Sequence, residues 1–299
     1  MSAPDLSMLQ RPNDRLRRRR LVNRGMELLA WLAAALAVLI LGVVIWSVAQ
    51  RGASALSFDF LTQAQAQYAP PNVPQGLANA FVGTFVIVSL ATLMALPVGI
   101  LIAIYVNEFA SKGIRNVVTL TLDVLAGVPA IVIGFFVFVL IVVGHGQSGY
   151  AGAFALAVLM LPLVSRSTIE VLALVPDSLR EAALGVGAPR WRATLGIVLP
   201  QTIGGVLTGA TLAVARVAGE TAPLLIVSSL VASGTHWNPS QPLQSVPVAI
   251  YELADSPEPA DRARAWAAAL VLILFILFVS LTARWLATRS RRKIAQAGR

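Results

Sequence analysis

The chain has 299 residues, of which 57% are hydrophobic and 12% charged, with a net charge of +9 and no cysteine. A soluble domain carries about 25% charged residues, so this composition excludes a water-soluble globule and makes lipid the natural solvent. Disulfides and thiolate metal sites are excluded, and the two histidines, His145 and His236, lie too far apart in sequence to suggest a histidine-rich metal centre.

Residues 1–25 form a basic arm, of which the first 20 are polar, arginine-rich and read as disordered near anionic lipid. A first span, 26–49, follows. Ser47-Val48-Ala49 resembles a cleavage site, but the apolar run exceeds the about 7–15 residues of a signal peptide, so a retained anchor is expected. Five further spans are expected at about 80–105, 118–143, 150–164, 203–231 and 265–287. The fourth is short and rests against Pro162, read as a break. The region 75–288 then forms one membrane domain, and 289–299 a basic tail. Lysine and arginine set the orientation. With both termini inside, 19 basic residues lie inside and 3 outside, with Arg216 left in the membrane. The expected fold is all-α, an integral membrane protein of six spans with both termini cytoplasmic.

Several polar or special residues near the spans have ordinary readings. Asn107 and Glu108 read as capping the second span. Asp123 marks the cytoplasmic end of the third, and Pro129 kinks it. Gly205 and Gly209 form the Gly-x-x-x-Gly spacing of close helix packing.

The inside loop 165–200 is too long for a turn and too polar for a span. Asp177 or Ser178 is expected to cap a short helix, with Glu181 in its first turn. Ala182 and Ala183 favour helix and keep its surface small. Gly187 allows a tight exit and Pro189 prevents continuation. A short helix with a small-residue surface suits a groove on a partner.

In the fifth span, Arg216 and Glu220 stand i and i+4, so one shared helix face is expected. Arg216 lies 16 residues beyond Pro200, about 24 Å along a helix. Ionisable groups at that depth are costly and face a bundle interior or a watery cavity. Thr221 and Pro223 mark an interruption that frees backbone groups beside the pair. One reading is a buried salt bridge that fixes packing. The other is a substrate pathway, in which Arg216 offers a planar fork of donors to an oxyanion. Glu220 then orients Arg216 or accepts the proton-bearing oxygen of hydrogen phosphate, which sulfate lacks at neutral pH.

The segment Glu181-Ala182-Ala183, three residues, Gly187, nine residues, Ile197, one residue, Leu199-Pro200 resembles the EAA motif of ABC importer permeases without departure. The resemblance implies a type I importer permease fold and a coupling role for Glu181, Ala182, Ala183 and Gly187 against an ATPase subunit. Arg216–Leu225, with Gly76–Ala80, Pro97–Ile100, Ile104–Ala110 and Gly127–Gly134, resembles the membrane subunits of the bacterial phosphate-specific (Pst) importer, more exactly its PstA-type permeases. Val106-Asn107-Glu108-Phe109 departs mildly from the Leu-Asn-Glu-Tyr usual there.

The resemblance implies a multi-pass protein of the bacterial inner membrane that moves phosphate by alternating access. It also implies a second permease subunit (PstC-like), two ATPase subunits (PstB-like) and an extracytoplasmic phosphate-binding protein (PstS-like). No phosphate-binding Gly-x-x-x-x-Gly-Lys-Ser/Thr loop occurs. The chain is therefore expected to have no catalytic residues, metal or cofactor of its own, with ATP and magnesium held by the partner ATPase. The alternatives are a permease for sulfate, molybdate or phosphonate, a self-contained secondary transporter with inverted repeats, and a membrane-embedded enzyme with converging catalytic groups.

Overall fold

A computed structural model describes residues 14–65, 75–229 and 234–297. The chain divides into two compact units, 1–50 and 51–299. Most of the first unit is helix α1 (Asp14–Gly52). Its residues 18–46 are exposed on every side, as an apolar helix surrounded by lipid would be. The arm expected to be disordered is helical from Asp14 onward. Its residues 1–13 lie outside the described residues.

The second unit begins with the short helix α2 (Phe58–Thr62), capped by the Ser57 hydroxyl, which accepts from the Phe60 N–H at 3.0 Å. Helix α3 (Ala78–Ile104) runs on through a wider π-turn at Tyr105–Phe109. Helices α4 (Lys112–Gly127) and α5 (Ala130–Val137, extended by Phe138–Val142 and Val143–His145) meet at 96°. The third span is therefore broken where a continuous, kinked helix was expected. The break follows from Pro129, which disfavours helical geometry at Val128, and Val128 is indeed extended with ψ 129°.

Helix α6 (Gly149–Ala173) passes straight through Pro162 and is longer than the expected fourth span. It packs along α3, which contains Pro97, and this burial outweighs the single hydrogen bond each proline removes. Their shared core holds Ile87, Ala91 and Ala95 of α3 and Leu156, Met160 and Val164 of α6.

Helix α7 (Asp177–Gly185) lies in the inside loop. A segment starting at Arg190 leads through a further π-turn, Thr194–Val198, into α8 (Leu199–Val217). The fifth helix ends at Val217 rather than near 231, and a short α9 (Ala222–Val227) follows. The chain closes with α10 (Val246–Ala254) and α11 (Pro259–Ala297). Gly205 and Gly209 are packing glycines. A Cβ at Gly205 would lie 2.5 Å from Val171, and one at Gly209 would lie 2.4 Å from Ser167, both on α6.

Among the described residues, five helices are long and apolar enough to span a bilayer, and the bent α4–α5 pair makes a sixth if counted as one span. The chain is a multi-pass, all-α membrane protein.

On the side the arginine bias places outside, the stretch 234–245 is stitched to the helix starts. Gly149 and Tyr150 N–H donate to the Gln241 and Pro239 carbonyls at 2.9 and 3.0 Å. The Asn79 amide donates to Gln244 Oε1 at 2.9 Å, and the Val246 N–H donates to the Thr84 hydroxyl at 2.8 Å. The Gln244 amide in turn donates to Glu252 Oε2 at 2.7 Å. Burial pushes the Glu252 carboxyl above its usual range.

Candidate functional site

Two places carry unusual polar chemistry. The first is where two broken helices meet. Helix α9 packs on α5, so closely that a Cβ on Gly134 would lie 2.8 Å from the Pro223 Cα. The Val128-Pro129 break therefore lies beside the break between α8 and α9. A cavity of about 230 Å³ opens there, lined by Leu125, Ala126 and Val128–Ala130, by Leu159 and Leu163 of α6, and by Arg216, Val217 and Glu220.

Arg216 is exposed and Glu220 half-buried. They do not share a helix face: α8 stops at Val217, and Glu220 follows a turn closed by its own N–H donating to the Val217 carbonyl at 3.1 Å. Among the described residues neither forms an ion pair. The buried salt bridge is therefore not the arrangement found. The cavity brings Arg216 and Glu220 together in one lining as groups not paired with each other. Thr221 is half-buried, and its carbonyl accepts from the Leu224 and Leu225 N–H groups, which starts α9. Apolar walls, a guanidinium without a carboxylate partner and backbone freed at two breaks suit a small anion that binds and leaves.

Toward the cytoplasmic side, Asp123 of α4 pairs with Arg166 of α6 at 3.1 Å, both partly exposed. This gives Asp123 a partner beyond the positional reading made from sequence.

The second place is the inside loop. Pro176 precedes the first residue of α7, and no side chain caps the helix. Asp177 is the carboxylate in its first turn, and Glu181 falls in the second. Glu181, Ala182 and Gly187 are exposed, while Ala183 is buried and holds the helix to the loop. Gly187 has φ +82°, the left-handed exit that glycine permits. The exposed surface here combines Glu181 and the small Ala182 and Gly187 with the apolar Leu184 and Val186.

Beneath that helix lies a polar cavity of about 450 Å³ whose walls include Asn107, Glu108, Arg115, Asp177, Arg180 and Arg190. The Arg180 guanidinium crosses it. It donates to both Glu108 oxygens, the nearest at 3.0 Å, to Asp177 Oδ1 at 2.9 Å, and to the Leu172 and Val175 carbonyls at 2.9 and 2.6 Å. Hydrogen bonding to Glu108 raises the Arg180 pKa further above its usual range, against the opposing effect of burial. Glu108 had read as a simple cap. The signal that could have exposed its role is the placing of a carboxylate at the inner end of a span, among loops whose other charges are mostly basic.

The chain matches the family described as "Binding-protein-dependent transport system inner membrane component" over residues 95–292. It is 38% identical over 265 residues to a phosphate transport system permease protein PstA of Haemophilus influenzae, covering 88% of this chain and 92% of that one. It is also 38% identical over 285 residues to the PstA 1 permease of Mycobacterium tuberculosis, covering 92% and 91%. Among solved structures it resembles a chain of a bacterial alginate ABC transporter, at TM-score 0.65 and 17% identity, covering 91% and 97%. It likewise resembles a chain of the MetNI methionine transporter in an inward-facing conformation, at TM-score 0.57 and 16% identity, covering 71% and 93%. These two likenesses bear on the fold.

Proposed function

Because the chain belongs to the family of binding-protein-dependent transport system inner membrane components, we propose that it is the permease subunit of an ATP-driven phosphate importer that works by alternating access. The PstA-type relatives support phosphate as the substrate. Arg216, standing without a carboxylate partner on the wall of a cavity between two helix breaks, carries the site assignment.

The importer sits in the bacterial inner membrane with a PstC-like second permease, two PstB-like ATPases and a PstS-like binding protein. The binding protein delivers phosphate to the outer mouth. ATP and magnesium act in the ATPase pair, whose closure moves α7 through contacts at Glu181, Ala182 and Gly187. This chain supplies the path. Arg216 binds the oxyanion briefly through its planar donor fork. Glu220 receives the proton-bearing oxygen of hydrogen phosphate and repels sulfate, which has no proton to donate. Thr221 sets the helix break that keeps this wall open.

The test is phosphate uptake by vesicles holding the whole assembly and supplied with ATP, comparing the native chain with Arg216→Gln. Loss of uptake with intact assembly and continuing ATP hydrolysis supports the assignment. Normal uptake removes Arg216 from the anion path. Sulfate uptake appearing in Glu220→Gln supports the selectivity role of Glu220.

A further inference from the structure

We propose that the Arg180–Glu108 ion pair is the mechanical joint through which α7 moves the membrane spans. Arg180 and Glu108 are positioning residues, and this inference rests on the reading of α7 as the ATPase-docking helix.

Arg180 belongs to α7, one residue before the exposed Glu181-Ala182 surface. The backbone of α7 packs mainly against its own loop, residues 190–198. Its strongest polar tie to the spans is this one guanidinium. One edge of the fork holds Glu108, at the inner end of α3. Other donors hold the Leu172 and Val175 carbonyls, at the inner end of α6. A single planar group thus joins the docking helix to the two helices with the most extensive mutual packing in the fold.

The joint is shielded. The Arg180 side chain is 18% exposed and that of Glu108 8%. Charge-assisted, bidentate bonds in such a setting are stiff and directional. Glu108 is held in turn by the Asn107 amide at 2.8 Å, and Asn107 accepts a longer bond from Arg115 at 3.4 Å. The π-turn at Tyr105–Phe109 delivers both side chains, a local widening that frequently marks functional positions in helices. Lysine has a point charge and no fork, so it cannot reproduce the arrangement.

The experiment uses the full importer in vesicles, with phosphate uptake and ATP hydrolysis read in the same sample. Arg180→Gln, Arg180→Lys and Glu108→Gln are each expected to keep hydrolysing ATP while phosphate moved per ATP falls by about tenfold or more. A native ratio in these variants overturns the proposal. Hydrolysis that falls in step with uptake in all three assigns a merely structural role and overturns it too.

Because the chain has no cysteine, Glu108→Cys with Arg180→Cys provides a second arm, in partner subunits freed of thiols. Bridging the two with a short, rigid bis-maleimide is expected to restore the ratio, and a bridged joint that stays uncoupled contradicts the proposal. Glu181→Arg tests the underlying docking reading separately. If the ATPase still assembles and transport is normal with that variant, the docking assignment fails whatever the joint variants show.

Discussion

Replacing Gly83 with alanine would strike the seam that ties α3 to the outer stretch 234–245. A Cβ at Gly83 would lie 2.0 Å from the Gln244 carbonyl oxygen, against an ordinary contact of about 3.4 Å, so that carbonyl must retreat by about 1.4 Å. Gln244 is fully buried, and the same seam holds the Asn79–Gln244 and Val246–Thr84 hydrogen bonds. Overpacking of this kind costs about 1–3 kcal/mol, and each hydrogen bond stretched out of range costs about 1 kcal/mol more. Helix propensity returns about 1 kcal/mol on replacing glycine by alanine. The expected net loss is about 2–4 kcal/mol. At about 2–4 °C per kcal/mol for a chain of this size, the melting temperature falls by roughly 4–16 °C. The assay is thermal unfolding of the detergent-solubilised chain, followed by circular dichroism. Gly42→Ala is the control, since no atom lies within 4 Å of a Cβ there. Equal melting temperatures for the two variants would refute the seam as a tightly packed element.

Other expectations follow from the same geometry. Gly209→Val places its branched side chain against Ser167, where a Cβ alone already meets atoms at 2.4 Å; a stability loss of about 1–3 kcal/mol is expected, read as reduced yield and melting temperature. Arg166→Gln breaks the pair with Asp123, but side chains 37% and 49% exposed keep the cost near 0–1 kcal/mol, so a larger shift in melting would contradict a solvent-screened pair. Glu252 has a folded pKa above its unfolded value of 4.5. Its proton stays on in the fold after the unfolded chain has lost it, so this contribution is fully present below pH 4.5 and falls as pH rises through the raised value. Glu252→Gln should remove that fall, so melting scans of variant and native chain should diverge as pH rises from 4.5 to 7.

The spans were legible because their apolar runs are long and few residues disturb them. The inside loop was legible for a different reason: glycine and proline at fixed offsets leave one short helix and a left-handed exit, and Gly187 takes that conformation. The misreadings share a cause. Pro162 suggested a break, yet the packing of α6 on α3 kept the helix intact. Pro129 suggested a kink, yet an extended residue before it turned the chain by 96°. The i, i+4 spacing of Arg216 and Glu220 presupposed a continuous helix, and α8 stops between them. Proline's local rule is visible in a sequence, while the packing that enforces or overrides it depends on neighbours distant along the chain. The Arg180–Glu108 pair, separated by 72 positions, was hidden for the same reason.

The stitched outer seam also has a consequence for leverage. A body pinned at its outer rim and pushed at its inner rim turns about the pinned end. The second span and its π-turn cover 32 residues, an arm of about 48 Å at about 1.5 Å per residue. Points halfway along such an arm travel half as far as its driven end. If α7 is driven as proposed, a displacement of about 2 Å there becomes about 1 Å at mid-membrane, less than the radius of one oxygen atom. A lever of that ratio trades distance for force, and it leaves any wide opening to the seam with the second permease subunit proposed above.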